Sequence, residues 1–579
     1  MKRRSPPIAH HDTNHQRGHL QTMTTRTVPD RQSSPQSLAN LKTLSRSTIH
    51  QLIAKGHLII IANSRVLQVD KWLTRHPGGE KTILHMVGRD ATDEINGYTP
   101  TPLLHGRNII NCRYHSEQAL RMMKYFTIGR IEGEWINFVP PIQGGKFELE
   151  PEDEGIVIED SSGEEDSVDS TVYIRNPPLP SEPTSTSTVK DLPAEFDQYP
   201  PLTAQVQHQI TLQYRALETR LWQEGYYECH YTRYLPEIVR YTTLALLSYL
   251  ALRYQWYCTS ALFLGLMWHQ LVFTAHDAGH MGITHDPIID TLIGIFIADF
   301  IGGLSVGWWK KNHNVHHIVT NHPEHDPDIQ HMPFFAVSTR LLHSLRSTYY
   351  DRIMAYDGVA NVMIKVQHWM YYPLLCFGRF NLYRLSWEHL LLFKGVPKSG
   401  VTQKFRILEI MGMVVFWYWF GYLVLYKSVP TAWLRFLYVL ISHVVTMPLH
   451  VQITLSHFSM STTDFGPAES FPQKMLRTTM DVDCPPYLDW IHGGLQFQAV
   501  HHLFPRVPRH RLREVQPLVR EFCESVGVKY VIFGFVEGNK EVIGRLEEVA
   551  KQARMMKQCA DWLAVEGKPL DMQTDTSST

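Results

Sequence analysis

The sequence predicts an α-helical, multi-pass membrane protein with a small α+β domain near its N-terminus. After residue 200, four apolar runs are each close to the length of about 20 residues that a helix needs to cross a bilayer. These runs are Ile238–Trp256, Cys258–His276, Ile407–Leu425 and Ala432–Ile453. Ahead of them, short apolar runs at 58–61 and 66–69 alternate with helix-like stretches, which is typical of a compact soluble domain.

The size and charge of the chain narrow its class. With 579 residues it exceeds one ordinary domain, and a formal net charge of -1 gives no basis for binding nucleic acid. Its 7 cysteines are scattered and form no C-x-x-C pair. They are therefore predicted to be reduced thiols rather than disulfides or a zinc framework.

Composition divides the chain into five segments. Residues 1–46 are rich in Ser, Thr, Gln, His and Arg and are predicted to be disordered, because they bury too little apolar surface. Residues 47–133 form the small α+β domain. Residues 134–200 are acidic and rich in Ser, Thr and Pro, which predicts a flexible linker. Residues 201–550 carry the apolar runs and form the second domain, and residues 551–579 are a C-terminal tail.

Three histidine clusters lie beside the apolar runs. They read H-D-A-G-H at 276–280, H-N-V-H-H at 313–317 and Q-A-V-H-H at 498–502. Positions three and four apart share one helix face, so each cluster directs its imidazoles into one space. Zinc takes about four ligands, so seven or more converging imidazoles predict two metals. Iron fits best, because with O2 it can oxidise an unactivated C–H bond, which zinc cannot do.

These clusters resemble the histidine boxes of the membrane fatty-acyl desaturase superfamily, over about residues 196 to 550. The flanks extend the match with Q-L-V-F-T-A before the first box, W-W-K-K-N before the second and D-W-I-H-G-G-L-Q-F before the third. A glutamine at the start of the third box resembles the front-end group, which also carries a fused cytochrome b5. The resemblance implies a diiron centre with the ligands His276, His280, His313, His316, His317, His501 and His502.

The same resemblance implies further residues at this centre. One more ligand is expected from a helix just before the third box, and the L-S-H-F stretch assigns this role to His457. Gln498 stands where relatives outside the front-end group have histidine, and it is expected to bind weakly or through water. After the second box, Asp326 or Asp328 could accept the far N–H of a ligating imidazole, with a solvated loop as the equal alternative.

The boxes also constrain the topology, because all three must lie on one side of the membrane. The apolar run Ile288–Trp309 separates the first two boxes and is too short to cross twice, which needs about 40 residues. A single crossing would put the boxes on opposite sides, so this run is expected to lie in the interface or to dip in and return. Four crossings in two hairpins remain, with a helical catalytic cap and both termini in the cytosol. The expected location is the endoplasmic reticulum membrane.

The small N-terminal domain resembles cytochrome b5 over roughly residues 47 to 133. H-P-G-G stands at 76–79 and G-R-D-A-T follows at 88–92. The resemblance implies haem b with His76 as the first axial ligand, and two axial histidines suit electron transfer. His115 is the favoured second ligand and His105 the competing one, because the gap after His76 is longer than the pattern expects. The excess at 96–114 is either a surface loop or an error in the gene structure.

Together the resemblances imply O2-dependent desaturation of a lipid chain. Electrons would come from NAD(P)H through a cytochrome b5 reductase and the fused haem domain. The stretches at 366–373 and 376–387 resemble fungal Δ8 sphingolipid desaturases, so the expected substrate is the long-chain base of a ceramide, desaturated between carbons 8 and 9. The alternatives are a front-end acyl desaturase of the Δ5 or Δ6 type and, behind it, a sphingolipid or fatty-acid hydroxylase. A haem protein that only relays electrons is disfavoured by the intact boxes.

Overall fold

The computed structural model describes residues 40–76, 78–98, 123–149, 199–392 and 401–566. Most of the segment predicted to be disordered, at 1–39, lies outside these ranges, and so does the part of the predicted linker at 150–198. The two candidates for the second axial ligand, His105 and His115, also lie outside the described residues.

The N-terminal domain is built on a three-stranded antiparallel sheet in the order β1-β2-β3. Asn63 and Ser64 both adopt positive φ between β1 and β2, which is the conformation that a two-residue hairpin turn requires. One face of the sheet packs on α1 through Ile49, Ile59 and Ile61. The elements are α1 Arg46–Ala54, β1 Ile59–Ala62, β2 Arg65–Gln68, α2 Glu80–Leu84, α3 Thr92–Tyr98 and β3 Thr127–Arg130.

The core of this domain continues past residue 133. Trp135, Phe138 and Phe147 pack against its buried cluster, and Trp135 Nε1 donates to Gly88 O at 3.0 Å. Residues 134–149, which composition assigns to the linker, therefore pack on the N-terminal domain. Three aromatic side chains supply enough apolar surface to dock this segment despite its polar surroundings.

The second domain is helical, with two short two-stranded sheets. Its helices are α4 Ala204–Gln223, α5 Leu235–Arg253, α6 Tyr257–Gly279, α7 Pro287–Ile295, α8 Val306–Ile318, α9 Gly358–Met363, α10 Gln367–Leu375, α11 Gly378–Leu391, α12 Val401–Phe416, α13 Ala432–Val444, α14 Met447–Phe458, α15 Phe471–Thr478, α16 Asp489–His492, α17 Gln498–Leu503, α18 Leu512–Val526 and α19 Phe535–Glu566. Strands β4 Leu345–Ser347 and β5 Arg352–Met354 pair antiparallel, and β6 Asp481–Asp483 and β7 Ile532–Gly534 pair parallel. Helix α19 includes residues 551–566 of the predicted tail.

Among the described residues, three helical segments are long and apolar enough to cross a membrane. They are Tyr257–Gly279, Thr402–Ser428 and Ala432–Phe458, and each contains one of the predicted spans. Helix α7, with its π-helical extension to Ile301, and helix α8 pass the same test only as a pair that bends by 118°. The run between the first two boxes is therefore not a straight span, which agrees with the expected dip or interfacial path.

Helix α5 covers most of the remaining predicted span, Ile238–Trp256, and ends at Arg253, but it is not among these segments. It packs along α6, where Ser248 Oγ donates to Ser260 O at 2.9 Å. Its outward face carries large apolar side chains, including Ile238 and Leu246, which are 52% and 55% exposed. Such a face suits contact with lipid or with another apolar surface.

The N-terminal domain rests on α8 and on neighbouring parts of the second domain. Lys81 Nζ lies 2.6 Å from Asp351 Oδ1, and Arg215 Nε lies 2.6 Å from Asp93 Oδ1. Ile318, at the end of α8, packs against the apolar cluster of the N-terminal domain. Charge pairs and an apolar contact thus hold the domain beside the helix that carries the second histidine box.

This seating predicts a specific zero-length crosslink. A carbodiimide should join the Lys81 amine to the Asp351 carboxylate, because the two groups are in direct contact, and mass spectrometry of digested protein should find the joined peptides. Lys81→Arg should abolish the product, because a guanidinium is not coupled. The exposed pair Lys557 and Asp561, 2.9 Å apart, checks the reagent. If that pair reacts while Lys81 and Asp351 do not, the seating is wrong.

Candidate metal centre

Seven of the predicted ligands form two groups of closely spaced imidazole nitrogens. Within each group, one nitrogen from every ring lies within 4.8 Å of the others. The first group draws on all three boxes and the second on the last two boxes and α14. The first consists of His276, His280, His313 and His501, and the second of His316, His457 and His502.

His317 lies where the two groups meet. Its ring centroid is 4.9 Å from that of His280 in the first group and 4.1 Å from that of His502 in the second, where the rings stack. Its Nε2 lies 3.1 Å from His313 Nε2. Gln498 is buried on the first turn of α17, three and four residues before the histidines of the third box. The structure thus brings the eight predicted histidines together. Gln498 lies on the same short helix as His501 and His502.

The helices that carry the boxes end or begin at this point. His276 lies in the last turn of α6, His280 follows at its C-cap, and His457 lies in the last turn of α14. Two of the long apolar segments therefore bring their histidines to the same side. Helix α17 is held from outside: Asp481 Oδ1 accepts a hydrogen bond from Ala499 N at 2.8 Å, which satisfies an amide of the first turn.

Seven of the eight imidazoles are prepared to bind metal rather than protons; at His316 the carboxylates of Asp326 and Asp328 outweigh burial and raise the pKa to about 9. Burial first, and the neighbouring imidazoles second, lower the pKa values of His501 and His502 well below the usual range. Neutral imidazole is the form that binds a metal ion. Among the described residues, His280 Nε2, His457 Nδ1, His501 Nε2 and His502 Nε2 are buried without a hydrogen-bond partner. Buried polar atoms are normally paired. Two clusters of such nitrogens fit two ions that prefer imidazole, of which iron is one.

The structure decides between the two carboxylates after the second box. Asp326 is fully buried, and its two oxygens accept from His316 Nδ1 at 3.0 and 2.9 Å. Asp326 also accepts from the backbone amides of Asn321 and Asp328, at 2.7 and 2.8 Å. The contact with Asp326 therefore holds the His316 ring with its proton on Nδ1 and leaves the lone pair of Nε2 free to bind a metal ion. Asp328 is a more distant neighbour, 3.7 Å from His316 Nδ1.

Other contacts at the centre were not evident from the sequence. Trp309 stacks on His313 with ring centroids 4.5 Å apart. Gly279 lies so close to the Trp309 ring that a Cβ would be 2.0 Å from Trp309 Cζ3. Asp277, inside the first box, accepts from Tyr234 at 2.5 Å and from Arg509 Nε at 2.9 Å. The glycine in the first box and the tryptophans before the second box are visible in the sequence. Only the folded structure shows that they are in contact.

His76 of the N-terminal domain is oriented as an axial haem ligand should be. Its Nδ1 donates a hydrogen bond to Gly79 O at 3.0 Å. Nε2 is therefore left free to bind iron. The glycines after it face α8: a Cβ at Gly78 would lie 3.3 Å from Asn314 Nδ2, and one at Gly79 would lie 3.2 Å from Lys311 Cγ. The described residues thus fit the first axial position, and this loop touches the helix that carries the second box.

The contact between Asp326 and His316 predicts how a substitution affects metal binding. Asp326→Ala should lower iron affinity by about 10- to 100-fold, because His316 loses the group that fixes its tautomer and orientation. Metal analysis of purified protein after dialysis against a graded chelator would measure this. Glu324→Gln, in the same loop but paired with Arg340 at 2.9 Å, is the control and should keep its iron. Equal iron retention by both variants would contradict the role of Asp326.

Comparisons with known proteins agree with this geometry. A family model described as "Fatty acid desaturase" matches residues 254–534, and one described as "Cytochrome b5-like Heme/Steroid binding domain" matches residues 45–132. Three fungal relatives are each named "Delta 8-(E)-sphingolipid desaturase". The relative from Emericella nidulans is 53% identical, over 90% of this chain and 97% of its own length. Those from Komagataella phaffii and Kluyveromyces lactis are 48% and 46% identical, over 89% and 92% of this chain and 95% and 97% of their own lengths.

Proposed function

This chain belongs to the fatty acid desaturase family, in the group with a fused cytochrome b5-like domain, and we propose that it places an E double bond between carbons 8 and 9 of the long-chain base of a ceramide. The observation that carries the proposal is similarity over nearly the whole length to sphingolipid desaturases, combined with an intact histidine centre. The balanced reaction takes one O2, two electrons and two protons, and it yields the alkene and two waters.

We assign the metal ligands from the two nitrogen groups. His276, His280, His313 and His501 would hold one iron, and His316, His457 and His502 the other, with His317 between them. Gln498 is proposed as a weak or water-mediated ligand. When bound, the iron pair supplies the O2-derived oxidant that removes hydrogen from an unactivated methylene. The residues of the chain bury the imidazoles, orient His316 through Asp326 and exclude water from the buried site.

The N-terminal domain would supply the electrons one at a time. Haem b is assigned to His76, with His115 as the favoured second ligand and His105 as the alternative. We propose that a cytochrome b5 reductase passes electrons from NAD(P)H to this haem. Seating of the His76 loop on α8 supports direct transfer within the chain, because the loop contacts Asn314 beside His313.

The apolar helices and the family indicate an integral membrane protein. We propose the endoplasmic reticulum membrane, four crossings that include α5, and both termini in the cytosol with the metal centre. This arrangement would put the haem domain on the side where a soluble donor of electrons can reach it.

Expression in a yeast that lacks Δ8-unsaturated bases tests the substrate. Mass spectrometry should find a double bond at carbon 8 of the long-chain bases and unchanged fatty acids, and NMR of the purified bases should show that it is E. His317→Ala should abolish the product while the haem spectrum of the purified protein stays unchanged, because the haem lies in the other domain. New double bonds in fatty acids alone, or a hydroxylated base, would replace the proposal with one of its alternatives.

The haem assignment has its own test. His76→Ala should remove the absorption bands of low-spin, six-coordinate haem, because the first axial ligand is lost. His115→Ala should do the same, and His105→Ala should leave the spectrum unchanged. The opposite result for the last two variants would make His105 the second ligand. Iron content of the second domain, measured on haem-corrected samples, should not change in any of the three.

A further inference from the structure

A buried seam joins α6, α14 and the segment that precedes the third box. Phe273, Leu449 and Leu495 form one small apolar cluster there. Gly493, with φ of +58°, lies on the face of Phe273, and a Cβ at this glycine would be 2.1 Å from Phe273 Cγ. Three separate parts of the chain therefore meet at this seam, and Gly493 has no room for a side chain of its own.

A hydrogen-bond donor lies at the seam without a protein partner. His269 is one helical turn before Phe273, with ring centroids 5.2 Å apart, and it is 5% exposed. Arg240 Nη1 donates to Gln270 Oε1 at 2.6 Å, which orients this amide so that Gln270 Nε2 donates to His269 Nδ1 at 3.1 Å. The proton of His269 must then be on Nε2. Among the described residues this atom has no hydrogen-bond partner.

A buried hydrogen-bond acceptor lies on α14 near the same apolar cluster. Gln452 is one turn after Leu449 on α14 and is 4% exposed. Its Nε2 donates to Ile491 O at 3.4 Å, in the segment that also carries Gly493. Its Oε1 is buried and, within the described part of the chain, has no partner. A buried donor and a buried acceptor at one seam are costly to the fold unless ordered water or a ligand pairs them.

We propose that His269 and Gln452 bind the polar head of the long-chain base, an inference that rests on the proposed function. A ceramide carries an amide N–H and hydroxyl groups next to its long chain, so it can donate to Gln452 Oε1 and accept from His269 Nε2. A fatty acyl ester or thioester offers only acceptors at that position. Gln452 therefore distinguishes sphingolipids from acyl esters, because an ester would leave its oxygen buried and unpaired.

The distances along the helices suit this assignment. His269 precedes His276 by about 10 Å of helix, and Gln452 precedes His457 by about 7 Å, at 1.5 Å per residue. Carbons 2 and 3 of the base are separated from carbon 8 by about 6 to 8 Å of extended chain, at roughly 1.2 Å per bond. A head bound at the seam thus brings carbon 8 to the level of the metal centre.

The seam also lies beside residues that favour a membrane interface. The Arg240 guanidinium lies 5.3 Å from the ring centre of Trp490, which is 49% exposed, and nearby Tyr487 is 74% exposed. Aromatic side chains of this kind are enriched at the level of lipid headgroups. The polar head of a membrane lipid can therefore reach the seam without leaving the interface.

Paired substrates and variants test the proposal on the full-length, haem- and iron-loaded protein in lipid nanodiscs. The substrates are a dihydroceramide, its analogue without the hydroxyl at carbon 3 and its N-methylated analogue. Gln452→Leu should lower kcat/KM for dihydroceramide at least about tenfold, mainly through KM. It should have no further effect on whichever analogue lacks the donor that Gln452 binds. His269→Phe should also lower kcat/KM for dihydroceramide, and His269→Gln, which keeps an N–H donor, should recover part of the loss.

Ser442→Ala is the matched control, since Ser442 is equally buried in the same apolar segment but donates to Val439 O at 3.2 Å. It should keep wild-type kcat/KM on all three substrates, and iron content and melting temperature show whether each variant is folded. If folded Gln452→Leu lowers kcat/KM equally on all three substrates, or if neither the Gln452 nor the His269 variant lowers it for dihydroceramide, this inference is wrong. If wild-type protein desaturates no ceramide, the proposed function fails instead.

Discussion

The second domain is organised around the need to gather imidazoles from four helices in one buried space. An imidazole has two nitrogens, and one must be committed to the protein before the other can serve a metal. Asp326 does this for His316 with a fully buried carboxylate. Asn321 Nδ2 donates to His457 O at 2.8 Å and so holds the end of α14 against the same loop. The hydrogen bonds around the centre therefore contribute to metal binding, because they hold the ligand side chains in position.

The N-terminal domain, which is the proposed electron donor, packs on one of these four helices. Its haem-binding loop contacts α8, and its apolar cluster includes Ile318 at the end of the same helix. One helix thus carries three of the histidines and also receives the donor domain. A tether alone would only raise the local concentration of the donor. The ion pairs of Lys81 and Arg215 add a defined orientation.

The sequence predicted what depends on local spacing, and the structure was needed for what depends on distant contacts. The i, i+3 and i+4 spacing of the boxes predicted convergence, and His457 was placed by its position before the third box. By contrast, Asp326 and Asp328 have the same chemistry and nearly the same position, and only the fold of the loop separates them. The packing of Trp135 and Phe138 was hidden by the acidic composition that surrounds them. His269 and Gln452, which we propose bind one lipid head, are 183 positions apart, a relation that no periodicity reveals.

In the second and third boxes, neighbouring histidines serve different groups of nitrogens. His313 belongs to the first group and His316 to the second, while His501 and His502 are adjacent in the chain and are likewise divided. The spacing of the two proposed metal sites would therefore be limited by covalent geometry and helix pitch as well as by how the domain packs. Motion of the surrounding helices would then change the orientation of the two sites more than the distance between them. Substrates of different shape would then meet a reactive centre of constant dimensions.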